Sequence, residues 1–140
     1  MVRLKNYAVT VVEGANHPER MVEHMRYAAE CLAGGRVRCL LALNDSDATL
    51  ALALIANKRG IPIVCVEAGK RYGSGDSDSN VNQLLIDRLA HLLLVSDPLA
   101  KTNLLLEGIP RERVEEVGTL RSDALARLLA KRGVSLARAA

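Results

Sequence analysis

The segment formed by residues 61–71 constrains the fold of this chain more than any other. It reads Ile-Pro-Ile-Val-Cys-Val-Glu-Ala-Gly-Lys-Arg, so an apolar run of strand length leads directly into a cluster of charged residues. A continuous apolar strand is typical of a parallel sheet that is buried on both faces. Charged groups after such a strand lie at its carboxyl end, where open α/β sheets bind their ligands. The segment therefore predicts an α/β fold and a site at residues 67–71.

The rest of the chain alternates between apolar strand runs and segments with helical spacing. Strand–helix units of this length form right-handed crossovers between parallel strands. We therefore predict one Rossmann-like α/β domain over residues 1–132, with a mostly parallel sheet of about five strands and helices on both faces. Residues 133–140 are expected to form a flexible tail. The predicted strands are Tyr7–Val12, Val37–Leu43, the run from Pro62 to Glu67, Leu92–Val95 and Val114–Val117.

Capping residues and apolar spacing define three of the predicted helices. Asp97 caps a helix with Pro98 in its first turn, and Gly108 lies just past its end. Asp123 is expected to cap a final helix from Ala124. The helix that follows the polar segment 72–80 is expected to turn its apolar residues towards the core, namely Val81, Leu84, Leu85 and Leu89.

Composition excludes several classes of function. The chain has 140 residues, neither Trp nor Phe, and three Tyr, so it lacks the aromatic platforms on which proteins stack single-stranded nucleic acid. No apolar run reaches the roughly 18 residues of a membrane span, and the N-terminus lacks an apolar signal region. The net charge of +3 is a mild excess that suits an anionic metabolite but indicates no particular partner.

The three cysteines indicate a reducing compartment. Cys31, Cys39 and Cys65 have no CxxC spacing, and two of them lie in apolar strand runs. Free, buried thiols are typical of a reduced protein, so we expect a cytoplasmic location.

Several motifs resemble the UDP-N-acetylglucosamine 2-epimerase family over residues from about Tyr7 to Leu125. They are Asp45 after a strand, Val66-Glu67-Ala68-Gly69-Lys70-Arg71, Asn103-Leu104-Leu105 with Gly108, and Gly118 with Asp123-Ala124-Leu125. The resemblance implies epimerisation of a nucleotide sugar at C2, with UDP-N-acetylglucosamine as the ligand and no cofactor or metal. It also implies catalytic residues, Asp45 and Glu67, and substrate-binding residues, Gly69, Arg71, Asn82 and Asp87.

Other positions depart from the family pattern. Cys65 replaces a histidine, Asn44 replaces a glycine, and Ser79-Asn80 stands where the family has two glutamates. The similarity also covers only the later part of the first of the family's two domains. We therefore expect an epimerase-like domain that is incomplete as a catalyst. The alternative is a non-catalytic interaction or regulatory module, which forms a homo-oligomer or associates with another epimerase-like chain.

Structural roles remain open for the same residues. Asp45 lies in the run Asn44-Asp45-Ser46-Asp47, a composition typical of helix caps. Glu67 could form an ion pair with Lys70 or Arg71. The oxygen-bearing residues between Asp76 and Asp87 follow calcium-loop spacing only loosely, because Val81 occupies the position that needs glycine.

Overall fold

The chain folds around a parallel four-stranded sheet. The computed structural model describes residues 18–72 and 78–132. The strands lie side by side in chain order, β1-β2-β3-β4, and every neighbouring pair is parallel. The elements are α1 (Pro18–Cys31), a 3₁₀ turn (Ala33–Gly35), β1 (Leu40–Ala42), α2 (Asp47–Lys58), β2 (Ile63–Val66), α3 (Asp78–Leu89), β3 (Leu92–Val95), α4 (Pro98–Leu106), a 3₁₀ turn (Arg111–Arg113), β4 (Val114–Glu116) and α5 (Leu120–Lys131).

The predicted α/β class is confirmed, with four strands among the described residues rather than about five. The predicted strand Tyr7–Val12 and the tail 133–140 lie outside the described residues. The strand β1 is shorter than the predicted run from Val37. Its first residue, Leu40, donates its N–H to the carbonyl of Pro62 at 2.9 Å. Proline has no N–H to return, so the pairing of β1 begins there.

The core lies on one face of the sheet. Alternate strand residues that share this face are buried, whereas Leu41 and Leu92 on the opposite face are exposed. Apolar residues of the helices pack on the buried face, and this burial is the main stabilising contribution. The buried strand residues are Ala42, Ile63, Cys65, Leu93, Val95 and Val114.

The inward face of α3 is polar, so the predicted orientation of this helix was wrong. Val81, Leu84 and Leu85 are exposed, and only Leu89 of the predicted set packs against the core. The polar residues can be buried because each finds hydrogen-bond partners in neighbouring loops, as described below. The buried residues of α3 are Asn80, Asn82, Gln83, Ile86 and Asp87.

The predicted cap of α4 is confirmed and that of α5 is wrong. Asp97 accepts a hydrogen bond from the N–H of Ala100 at 2.9 Å, and Gly108 follows the helix with φ of 78°. The helix α5 instead begins one turn before Asp123. Its cap is Thr119, whose hydroxyl accepts the N–H of Ser122 at 3.0 Å. Asp123 lies in the first turn, where a negative charge interacts favourably with the helix dipole.

The three thiols differ in exposure. Cys65 is buried as expected, whereas Cys31 and Cys39 are exposed. Cys39 lies just before β1 and not within a strand. No helix within residues 18–72 and 78–132 combines the length and apolar character needed to cross a bilayer.

Candidate functional site

Two predicted site residues follow neighbouring strands at the carboxyl edge of the sheet. Glu67 comes directly after β2, and Asp45 is three residues beyond β1. The register pairs Ala42 of β1 with Cys65 of β2, so the segments that follow the two strands leave the sheet at the same level. The fold therefore brings the loops that carry Asp45 and Glu67 together, at the edge where open α/β sheets bind ligands.

Asp45 is not the cap of α2. Ser46 is the cap, and its hydroxyl accepts the N–H of Thr49 at 3.3 Å. The backbone of Asp45 is held, because its carbonyl accepts the side-chain amide of Asn82 at 3.0 Å. Within the described ranges, no hydrogen bond or ion pair engages the Asp45 carboxylate. The Asp45 side chain is half-buried.

The backbone of Glu67 has a conformation that is rare for its residue type. Its φ is 58°, and no other non-glycine residue in the described part of the chain has a positive φ. A left-handed residue of this kind costs about 1–3 kcal/mol and is typical of functional sites. The carboxylate contacts the ammonium of Lys70, so one of the ion pairs that we considered from the sequence is present.

Gly69 is a point of close contact between the loop after β2 and α4. Its φ is 76°, and a methyl group at this position would lie 2.2 Å from the carbonyl oxygen of Ala100. Both of its backbone groups are bonded: the N–H donates to Asp87 at 3.0 Å, and the carbonyl accepts the side-chain amide of Asn103 at 2.9 Å. Gly69 is thus held between α3 and α4.

Arg71 is occupied by acidic partners. Its Nε and Nη2 donate to the two carboxylate oxygens of Glu107 at 2.8 and 2.5 Å. Its Nη1 donates to Asp87 at 3.0 Å and to the carbonyl of Lys70 at 2.7 Å. This forked geometry matches a carboxylate in both distance and plane.

Asp87 lies beneath the loop, with 1% of its side chain exposed. In addition to Gly69 and Arg71, it accepts hydrogen bonds from Gln83 at 2.7 Å and from the thiol of Cys65 at 3.3 Å. Burial raises the pKa of Asp87, although the hydrogen bonds from Gly69, Gln83 and Arg71 act in the opposite direction. Asp87 therefore fixes the loop after β2 to α3 through Gly69 and Arg71.

The surroundings of Cys65 disfavour its thiolate form. Burial raises the pKa of its thiol, and the carboxylate of Asp87 raises it further. A thiol is nucleophilic only as the thiolate, which this environment suppresses. Cys65 donates a weak hydrogen bond to Asp87.

Asn82 supports the other loop of the site. It is buried, and its side-chain amide donates to Asp47 at 2.8 Å in addition to the carbonyl of Asp45. It therefore fixes the turn between β1 and α2.

No group of three or more metal-binding side chains occurs among the described residues.

Sequence reasoning missed four residues that hold the loop after β2. Three of the residues under the loop, Asn80, Gln83 and Asp87, have the i, i+3, i+7 spacing of one helix face, and this was a readable signal for a buried polar face. Asn80 accepts the N–H of Tyr72 at 2.7 Å. Asn103 belongs to a motif of the family resemblance but was assigned no site role, and no local pattern marked Glu107, the C-cap of α4. The four missed residues are Asn80, Gln83, Asn103 and Glu107.

Comparison with known sequences identifies one family. Residues 5–139 match the family profile described as UDP-N-acetylglucosamine 2-epimerase. The UDP-N-acetylglucosamine 2-epimerase of Methanocaldococcus jannaschii is 36% identical over 80 residues, which are 57% of this chain and 22% of that protein. The UDP-2,3-diacetamido-2,3-dideoxy-D-glucuronate 2-epimerase of Pseudomonas aeruginosa is 27% identical over 115 residues, which are 81% of this chain and 32% of that protein.

Solved structures agree with the sequence comparison. The M. jannaschii UDP-GlcNAc 2-epimerase in complex with UDP-GlcNAc and UDP has a TM-score of 0.78 and 27% identity, with 87% of this chain and 34% of that chain covered. The Neisseria meningitidis UDP-GlcNAc 2-epimerase bound to UDP-GlcNAc has a TM-score of 0.74 and 27% identity, with 84% and 32% covered. This chain thus spans about a fifth to a third of the lengths of these relatives.

Proposed function

Because this chain belongs to the UDP-N-acetylglucosamine 2-epimerase family, we propose that it is an epimerase-like domain that binds a UDP-linked N-acetylated sugar at the carboxyl edge of its sheet. Asp45 and Glu67 face the sugar in this proposal, and Gly69, Arg71, Asn82 and Asp87 form and support the site. The chain alone does not complete the proton transfers at C2. Its free thiols suit a cytoplasmic location.

The observation that supports this proposal best is the free carboxylate of Asp45 beside the left-handed Glu67. The two residues occupy neighbouring loops. Among residues 18–72 and 78–132 the Asp45 carboxylate has no hydrogen bond or ion pair, while the Glu67 carboxylate pairs with Lys70. A half-buried carboxylate without a partner is costly unless a ligand compensates it. The hydroxyl and amide groups of an N-acetylated sugar are hydrogen-bond donors that a carboxylate can accept.

The residues at two positions, Cys65 and Asn80, indicate that this chain alone does not catalyse the epimerisation. Epimerisation at C2 removes a weakly acidic proton and returns one to the other face, so it needs positioned acid and base groups. Cys65, which occupies the position of a family histidine, is protonated and buried. Asn80, at the position of a family glutamate, bonds the backbone of Tyr72 and has no carboxylate. Losing one general base commonly lowers a rate by about two to four orders of magnitude.

Proton NMR of UDP-N-acetylglucosamine in heavy water tests both parts of the proposal. We expect saturation transfer from the protein to the sugar protons, which reports binding, and no deuterium at C2 or manno isomer. Asp45→Asn should reduce the transfer by about tenfold, because a hydrogen bond to a charged group is lost. Asp123→Asn in the exposed first turn of α5 is the matched control and should leave binding unchanged.

The outcomes separate the possibilities. Deuterium incorporation that disappears in Glu67→Gln but persists in the control Glu112→Gln shows that the chain is a complete catalyst, which contradicts our proposal. Binding that is insensitive to Asp45→Asn removes Asp45 from the site. The absence of any binding refutes a sugar-binding domain.

A second candidate function is a non-catalytic module that associates with itself or with another epimerase-like chain. Exposed apolar side chains favour this candidate. Leu41 and Leu43 lie in and beside β1, which is an edge strand of the sheet formed by the described residues, and Val81, Leu84 and Leu85 are exposed on α3. An uncharged edge strand is a site where another chain can pair.

A further inference from the structure

We propose that Glu107 and Asn103 of the α4 region are positioning residues that hold Glu67 in its left-handed conformation by fixing Arg71 and Gly69. In this arrangement Arg71 is a latch between the loop and two carboxylates, and not a ligand of the substrate. The role in positioning a sugar rests on the function proposed above, whereas the latch itself can be tested without a ligand.

The hydrogen bonds of Arg71 use most of its donors within the protein. A guanidinium has five N–H donors. Four hydrogen bonds connect Arg71 to Glu107, Asp87 and the carbonyl of Lys70, which leaves little capacity for a substrate diphosphate. A ligand that captured Arg71 would leave the buried carboxylate of Asp87 without its cation, and this is strongly unfavourable.

Glu107 links the latch to the rest of the fold. It forms the C-cap of α4, and its carbonyl accepts the guanidinium of Arg88 of α3 at 2.8 Å. Arg71 is bonded to Glu107 on one side and to Asp87 of α3 on the other. The loop after β2 is therefore tied to two helices through one side chain.

Asn103 completes the constraint on the backbone. It bonds the carbonyl of Gly69, whose N–H is bonded to Asp87. The N–H of Ala68 donates to the carbonyl of Leu94 at 3.1 Å. Because the residues directly after Glu67 are fixed, φ of Glu67 cannot relax to a negative value while the latch is closed. A misplacement of about 1 Å is enough to impair a site of this kind.

The reactivity of Cys65 provides a direct measure of the latch. Cys65 lies beneath the loop and contacts Asp87, so a reagent reaches its sulfur only when the loop opens. Replacing the exposed Cys31 and Cys39 with serine leaves Cys65 as the thiol that reacts. In this background we measure Arg71→Lys, Glu107→Gln and the double variant that carries both changes. The control is Glu116→Gln, which removes a surface ion pair to Lys101.

We expect Cys65 labelling to become roughly 10- to 100-fold faster in Arg71→Lys and in Glu107→Gln, since each loses hydrogen bonds between charged groups. The double variant should be little faster than either single variant, because both remove the same interaction. Labelling should be insensitive to low urea concentrations, which distinguishes opening of the loop from global unfolding. Glu116→Gln should have no effect.

Binding of UDP-N-acetylglucosamine separates a latch from a substrate ligand. A latch predicts that Arg71→Lys and Glu107→Gln weaken binding by the same factor. If Arg71 contacted the substrate, Glu107→Gln would release it and preserve or strengthen binding, which would refute our inference. Should no variant and no parent bind the nucleotide sugar, the proposed function fails, while the labelling rates still decide whether the latch exists.

Asn103→Ala provides a second route if the charge variants do not fold, which circular dichroism would reveal. It removes one neutral hydrogen bond from a partly buried side chain and should accelerate Cys65 labelling by roughly two- to tenfold. Unchanged labelling in Asn103→Ala and in whichever charge variants fold would overturn the proposal.

Discussion

Replacing Gly69 by alanine should destabilise the domain far more than the same change at Gly108. The two glycines have nearly equal φ values of 76° and 78°. At Gly108 an added methyl group meets nothing within 4 Å. At Gly69 the same group would lie 2.2 Å from the carbonyl oxygen of Ala100 and 2.9 Å from the Leu104 side chain. The comparison therefore isolates steric contact from backbone conformation.

The expected magnitudes follow from these contacts. A left-handed conformation costs an alanine about 1–2 kcal/mol, and both variants lose this amount. Forcing a methyl group into an occupied space costs typically about 1–3 kcal/mol more, and only Gly69→Ala incurs it. The total of about 2–5 kcal/mol for Gly69→Ala is a large part of the stability of an ordinary domain, about 5–15 kcal/mol.

Urea unfolding followed by circular dichroism measures the difference. With a typical slope of about 1–3 kcal/mol per molar urea, a difference of about 1–3 kcal/mol places the midpoint of Gly69→Ala about 0.3–3 M below that of Gly108→Ala. The slope itself should not change, because neither variant alters the area buried on folding. Equal midpoints for the two variants would show that α4 does not press against the loop as described.

Two further outcomes test capping and association. The hydrogen bond from Ala100 lowers the pKa of Asp97. Its ionised form therefore stabilises the fold at pH values above the unfolded pKa of about 3.9, and this contribution is lost as the pH falls through the folded pKa. The urea midpoints of wild type and Asp97→Asn should differ most at pH 7 and converge as the pH falls through the folded pKa of Asp97; a constant gap contradicts this. Separately, sedimentation at micromolar concentration should show self-association that Leu43→Lys abolishes and Leu106→Lys does not, because a charge beside β1 blocks strand pairing. A wild-type monomer would show that the edge does not pair.

Local patterns predicted part of the site. The motif that begins at Glu67 indicated a loop at the carboxyl end of a buried strand, and Asp97 and Gly108 defined the ends of α4. The roles within the site were harder to predict. Asn82 and Asp87 were predicted to bind substrate, and that role stays a prediction; the structure places both in buried positions, bonded to neighbouring loops. Their hydrogen-bond partners are distant in sequence, so the local spacing of α3 did not identify those partners.

The sequence by itself determined the order of strands and helices, because apolar runs, caps and glycines act over a few residues. Helical spacing defined two candidate faces of α3, one apolar and one polar, and only the tertiary structure decided which of them is buried. Apolar periodicity favoured Val81, Leu84 and Leu85, yet Asn80, Gln83 and Asp87 are buried instead. A buried polar side chain is stable only where hydrogen-bond partners are within reach. Here those partners are backbone and side-chain groups of the loop after β2, including Arg71. Their positions exist only once β2, α3 and α4 have packed together.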